Sequence, residues 1–159
     1  MTNQGRDSRS ALSRTASGAN IEQLMLNKTQ GVWTISPDAS VFEAIYAMAD
    51  HNVGALPVVT GDQVVGMISE RDYARKLILS GKSSLNTAVR EVMSTDVVTI
   101  TEQSTVEECM RLMTTHRIRH LPVMREHQLV GIISIGDIVY DIIARQEQVI
   151  NELTRYVAG

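Results

Sequence analysis

The chain has 159 residues, 43% of them hydrophobic and only 4% aromatic, with one cysteine and a net charge of −3. That size suffices for one domain or two small units sharing a core. The acidic balance gives no general pull toward nucleic acid or anionic lipid, and few aromatics argue against a base-stacking single-strand binder. No apolar run approaches the roughly 18 residues of a membrane span. A lone Cys109 cannot close an internal disulfide, and its place on an apolar helix face makes it core filler.

Residues 1–20 are rich in Ser, Arg, Gly, Asn and Thr, with Arg6, Arg9 and Arg14 against Asp7. This composition predicts a disordered tail and a cytoplasmic protein. Acid-poor, Arg- and Ser-rich leaders are also the pattern of organellar transit peptides, which is the alternative location. A third reading, nucleic-acid binding through this basic tail, would require salt-dependent affinity lost on its deletion.

Beyond the tail the chain repeats itself 65 positions on. Thr34-Ile35 returns as Thr99-Ile100, Leu56-Pro57-Val58 as Leu121-Pro122-Val123, and Val65-Gly66, Ile68-Ser69 and Asp72 as Val130-Gly131, Ile133-Ser134 and Asp137. A repeated compact unit predicts two halves that bury a shared face, with ligand sites between them. In chain order, Val32 to Ser36 reads as a short strand. Ser40-x-x-Glu43 is a capping box, and it opens a helix with Val41, Ala44, Ile45 and Met48 on one face. Gly54 ends that pattern, and Ala55–Val59 and Val64–Ser69 form a hairpin about a Gly61-Asp62 turn. A second helix follows Ser69.

The copy runs from a strand at Val97–Thr101 through a capping box at Thr105-x-x-Glu108 to a helix carrying Val106, Cys109, Met110 and Met113. Its hairpin pairs His120–Met124 with Leu129–Ser134. Pro57 and Pro122 suit edge positions or strand starts. A last helix, about Asp137 to Val157, carries a stripe of Val139, Ile142, Ile143, Val149, Ile150 and Leu153. That stripe is long enough to continue into a homodimer contact. The chain therefore divides into residues 1–20, a first repeat at 21–85, a second at 86–145 and a helical extension at 146–159. Each repeat is β-α-β-β-α, giving an α+β, layered pair with a pseudo-twofold axis and two related clefts.

Ser69-Glu70-Arg71-Asp72 and Ser134-Ile135-Gly136-Asp137 occupy matching strand-to-helix turns. Ser-x-x-Asp there caps a helix, while the helix start also offers free amides to an anion and the aspartate can accept from a hydroxyl pair. The two roles are compatible. His51 and His116 match near helix ends, where histidine suits the negative pole of the helix dipole rather than a metal. No catalytic serine–histidine order, phosphate loop or paired carboxylate emerges, and the two repeats consume the length. The expectation is a non-catalytic protein without a metal.

Taken together, the doubled Leu-Pro-Val, Gly-x-Ile-Ser and closing Asp, with Glu70-Arg71-Asp72-Tyr73 and Arg117-Ile118-Arg119-His120-Leu121-Pro122, resemble a cystathionine β-synthase (CBS) domain pair, or Bateman module. They are closest in kind to the small stand-alone pairs of bacteria and plant organelles. The resemblance implies binding of AMP, ADP, ATP, NAD(H) or S-adenosylmethionine and regulation of a partner protein. It implies that Asp137, with Ser134, holds one ribose, that the backbone of Val53, Gly54 and Ala55 and the strand at Val32 and Thr34 frame its adenine, and that Arg119 and His120 meet its phosphate. The related cleft would use Asp72, Ser69, Thr99, Ile118 and the backbone of Arg119, with Arg71 nearby. Arg119-His120 correspond to Gly54-Ala55, so this assignment favours the Asp137 cleft as the tighter nucleotide site. An adaptor with empty clefts is the alternative function.

Overall fold

The computed structural model describes residues 19–28 and 31–158. The basic leader, apart from Ala19 and Asn20, lies outside the described residues. In chain order the elements are α1 (Ile21–Leu26), α2 (Val41–His51), β1 (Ala55–Thr60), β2 (Gln63–Ser69) and α3 (Glu70–Asp72), the last continuing as a π-helical stretch over Tyr73–Ile78. Then come β3 (Ile100–Thr101), α4 (Val106–His116), β4 (His120–Arg125), β5 (Gln128–Ser134) and α5 (Ile135–Ala158).

Both expected capping boxes form. Ser40 Oγ accepts from Glu43 N at 3.1 Å while Glu43 Oε2 accepts from Ser40 N at 2.8 Å, and Thr105 and Glu108 do the same for α4. Each cap satisfies helix-start amides that would otherwise lack partners. The two hairpins are antiparallel in the same register, with Ala55 opposite Ser69 and His120 opposite Ser134, and both slip at the same point, after Val58 and after Val123. The first strand of each repeat is shorter than the pattern predicts. Around Ile35 it is a single parallel bridge to Val58, and β3 spans two residues beside β4. Trp33 and Thr34 are exposed, so the β-rich composition there has little buried face to extend.

Two cores result. The first holds Val41, Ala44, Met48, Leu56, Val58, Ile68, Leu77, Val89 and Val92; the second holds Ile21, Leu24, Ile100, Val106, Cys109, Met113, Leu121, Val123, Ile133 and Ile138. The segments that lead into the repeats are exchanged between them. Ile21 and Leu24 stand at the start of the first repeat yet fill the second core, and Val89 and Val92 stand near the start of the second yet fill the first. Backbone bonds fix both exchanges: Ile21 N donates to Ser104 O and Val106 N to Ala19 O, as Val41 N donates to Thr87 O and Val89 N to Ala39 O. Burial raises the Cys109 thiol, with help from Glu108, to about 11, so it stays protonated.

Strands β2 and β5 touch across the pseudo-twofold axis, and each carries a glycine covered by a methionine from a lead-in segment. A Cβ on Gly66 would lie 2.6 Å from Met93 Sδ and 2.9 Å from the Ser94 carbonyl oxygen; on Gly131 it would lie 2.7 Å from Met25 Cε. The last is the far end of a flexible side chain, whereas Ser94 is backbone bonded to Met67 in both directions. Gly66→Ala is therefore expected to destabilise by about 1–3 kcal/mol and Gly131→Ala by clearly less. Urea denaturation of the two variants checks this, and equal costs would contradict it.

Helix α5 runs 24 residues, but only Ile138 on it is fully buried. Val149, Ile150 and Leu153 are 54%, 60% and 60% exposed, an apolar stripe without a partner among the described residues. Its charged and polar positions keep it from reading as a membrane span, and no described helix is long and apolar enough to cross a membrane.

Candidate functional site

The turns at Ser69–Asp72 and Ser134–Asp137 adopt the expected cap. Ser69 N donates to Asp72 Oδ2 at 2.9 Å and Asp72 N to Ser69 Oγ at 3.2 Å. Ser134 N donates to Asp137 Oδ2 at 2.8 Å and Asp137 N to Ser134 Oγ at 3.2 Å. Each aspartate is thus held by its own helix start. What surrounds them differs.

Asp72 lies in a cleft of about 690 Å³ whose walls come from both repeats: Gly54, Ala55 and Ser69 to Asp72 with Arg75 and Lys76 from one, and Val97, Val98 and His116 to His120 from the other. Lys76 pairs with Asp72 Oδ1 at 3.2 Å and also donates to Val92 O, so it is committed to the fold. The guanidinium groups of Arg71, Arg75, Arg117 and Arg119 are not so committed. Among the described residues none of the four meets a carboxylate within ion-pair distance. Arg71 instead reaches across the cleft to donate to the Arg117 carbonyl oxygen at 3.2 Å. Glu70 and Asp96 line the same cleft, but with Lys76 the cations outnumber the carboxylates there, so the rim keeps a positive excess that an anion seated among the arginines would offset.

Arg117 adds a second sign of a specialised position. It caps α4 in the left-handed region at φ +54°, where the matching cap of α2 is Asn52 at φ +53°. Asparagine tolerates that conformation; for arginine it is strained by roughly 1 kcal/mol or more. The strain places the Arg117 side chain at the cleft rim and its carbonyl oxygen within reach of Arg71.

Asp137 does not line the large cleft; its partner Lys28 lines a smaller hollow of about 300 Å³ with Met25, Gly31, Val32, Val130, Gly131 and Ile132. Lys28 Nζ lies 2.9 Å from Asp137 Oδ2 and donates to Ile132 O at 2.6 Å. Among the described residues no cluster of free cations lines that hollow. Arg119 and His120, expected from the sequence at the phosphate of the Asp137 cleft, line the Asp72 cleft, as do Gly54 and Ala55, while His120 also lies near enough to Asp137 and Lys28 to feel their charges. The placement has a geometric cause: the loops before β1 and β4 face each other at the pseudo-twofold axis, so their residues reach the larger cleft together. A Cβ on Gly54 would lie 3.3 Å from the His120 ring, which shows how closely the two loops approach. Burial lowers the His120 pKa, Asp137 opposes that shift, and Lys28 and Arg119 reinforce it, so the ring is neutral at pH 7.

Of the other expected residues, Ile118 and Arg71 line the Asp72 cleft and Val32 lines the hollow beside Lys28. Thr34 and Thr99 are exposed and line neither, and Val53 packs against the first core. His51 stacks on Trp33 with ring centroids 3.6 Å apart, while its counterpart His116 opens onto the larger cleft. Arg75, Lys76, Arg117 and Lys28 went unassigned in the sequence reading. Arg75 and Lys76 were legible in principle, since they lie three and four residues beyond Asp72 on one helix face.

A CBS domain model matches residues 22–79 and 89–144, once per repeat. The chain is 39% identical over 135 residues to the mitochondrial CBS domain-containing protein CBSX3 of Arabidopsis thaliana, covering 81% of this chain and 66% of that protein's length. A solved protein with CBS domains from Burkholderia ambifaria superposes with a TM-score of 0.78 at 42% identity, covering 80% of this chain and 96% of that one. The CBS domain pair of protein MJ0100, solved in complex with 5′-methylthioadenosine and S-adenosyl-L-methionine, shares the fold with a TM-score of 0.70 at 24% identity, covering 80% and 98%. Two matched repeats in register, the pair of hairpins and the cleft between them together show that this chain belongs to the CBS domain family, as a tandem CBS pair.

Proposed function

We propose that the chain is a non-catalytic sensor that binds an adenine nucleotide in the Asp72 cleft and regulates a partner protein. The observation that carries this reading is that four arginines, none within ion-pair distance of a carboxylate among the described residues, line one cleft with a capped aspartate. Asp72 would accept from the ribose hydroxyls, the backbone about Ile118 and Arg119 would frame the base, and Arg71, Arg117 and Arg119 would meet phosphate. AMP, ADP, ATP and NAD(H) share that chemistry. Because the cleft walls come from both repeats, a bound nucleotide would bias how the halves sit, provided it binds one arrangement better than another. The exposed stripe of α5 is the surface on which we expect the chain to form a homodimer.

Thermal shift with AMP, ADP, ATP, NADH and S-adenosylmethionine tests the reading. A ligand at 100 times its Kd stabilises the native state by about 2.7 kcal/mol, so a clear rise in Tm is expected with at least one phosphorylated ligand, and Asp72→Ala is expected to abolish it. No rise with any of them would favour an adaptor whose clefts stay empty.

A further inference from the structure

The two clefts are not equivalent, and the difference is not only one of charge. In the first repeat the carbonyl oxygen of Met67, at the inner edge of β2, is satisfied by the backbone amide of Ser94 at 2.8 Å. No side chain is spent there, and the cleft beside it stays open. In the second repeat the carbonyl oxygen of Ile132 occupies the position of Met67 on β5. It accepts from the Lys28 ammonium at 2.6 Å, which also contacts Asp137 Oδ2 at 2.9 Å. Both ends of that ion pair are only 26% exposed, so the lysine stem and head lie within the hollow rather than over it. Asp72 also holds a lysine, but Lys76 arrives from one turn along the same helix and leaves about 690 Å³ free. Lys28 arrives from 109 residues before Asp137, and the hollow it lines holds only about 300 Å³ and does not reach Asp137 itself. It is anchored there because α1, just before it, is buried in the second core through Ile21 and Leu24.

We infer that Lys28 is a tethered occupant of the second cleft, holding Asp137 in place of a ligand's hydroxyls, so that each chain takes one nucleotide and takes it at Asp72. This rests on the nucleotide reading of the first cleft. An internal competitor lowers apparent affinity by the fraction of molecules it leaves free. If Lys28 is withdrawn from Asp137 in about one molecule in a hundred, the second site binds about 100-fold more weakly than its own contacts allow. The paired aspartates have then diverged, one kept for ligand and the other for anchoring the lead-in segment.

Calorimetric titration with adenosine and with ATP tests this on the full chain. The wild type is expected to bind one equivalent, lost in Asp72→Ala and retained in Asp137→Asn. Lys28→Met keeps the apolar stem and removes the ammonium, and Lys28→Gln keeps a donor for Ile132 O without the charge. Either is expected to raise the stoichiometry for adenosine, which needs no phosphate-binding cation, from one to two. Two equivalents in the wild type, or one in both folded Lys28 variants, would overturn the inference while leaving the nucleotide reading standing. Binding of neither ligand to any variant would overturn both.

Discussion

Arg119→Glu is expected to weaken binding of a phosphorylated adenosine ligand by about 100-fold or more while leaving the ligand-free protein at least as stable as the wild type. A hydrogen bond to a charged group contributes about 1.5–3 kcal/mol, and each 1.4 kcal/mol is tenfold in Kd; reversing the charge adds repulsion to the lost contact. The stability half of the expectation follows from what Arg119 does without ligand. Its side chain meets no carboxylate among the described residues, and it shares the cleft with Arg71, Arg75 and Arg117. Reversing one of four like charges removes repulsion and offers the others a partner. Exposed pairs contribute little, so the gain is small. Titration calorimetry and a ligand-free melt separate the two halves. Lost binding with a lowered ligand-free Tm would mean that Arg119 serves the fold. Unchanged binding would remove phosphate from the proposed role of this rim. The same electrostatics predicts that wild-type affinity falls as salt rises, since the rim is exposed.

The repeat was legible because a hairpin imposes a strict period. Ala55 opposite Ser69 and His120 opposite Ser134 stand 65 residues apart, as the sequence pattern required. The capping boxes at Ser40 and Thr105 were legible for the same local reason, since each lies within one turn of a helix. What a repeat cannot specify is which copy faces which. Correspondence along the chain says that Arg119-His120 match Gly54-Ala55; it is silent on whether Arg119 lies beside Asp72 or Asp137, because that depends on packing across the pseudo-twofold axis. The cations of the rim were therefore found, while the cleft they line was not fixed by the repeat. Lys28 and Arg117 were invisible for different reasons. Lys28 lies outside the repeated stretch, before Thr34, and its contact with Asp137 spans the length of the chain. Arg117 acts through a left-handed cap that asparagine, its counterpart, signals and arginine does not.

Divergence of this kind is what a duplicated unit permits. Matching residues keep the two hairpins, caps and covered glycines, and so preserve the scaffold. The unmatched ones sit at the clefts, where Arg71 faces Gly136 in the alignment of the copies and Arg75 faces Tyr140. A cleft lined by arginines that meet no carboxylate among the described residues and an aspartate paired with the chain's own lysine are opposite uses of one framework. The exchange of lead-in segments links them, because α1 anchors Lys28 on one side while Val92 accepts from Lys76 on the other.

That exchange sets the largest stability effect. Ile21→Ala is expected to cost about 2–5 kcal/mol, the range for truncating a buried large aliphatic side chain, and to cost it in the second core, although Ile21 opens the first repeat. It is fully buried among Leu24, Val106, Leu121 and Ile138 in the second core. Leu26, five residues on and so on the other face of the helix, is 80% exposed, so Leu26→Ala is expected to stay within about 0.5 kcal/mol. The single tryptophan makes the experiment sharper. Trp33 stacks on His51 in the first half of the molecule, so its fluorescence reports that half alone, while far-UV circular dichroism reports helices in both. If the exchanged segments and the β2–β5 contact bind the halves into one cooperative unit, Ile21→Ala moves both transitions in urea to the same lower midpoint without changing the slope. A Trp33 transition that stays at the wild-type midpoint while the dichroism splits into two steps would show that the halves unfold separately. The bridge from cleft to partner would then have to run through something other than the exchange, because a ligand held between two independent halves could not report on both.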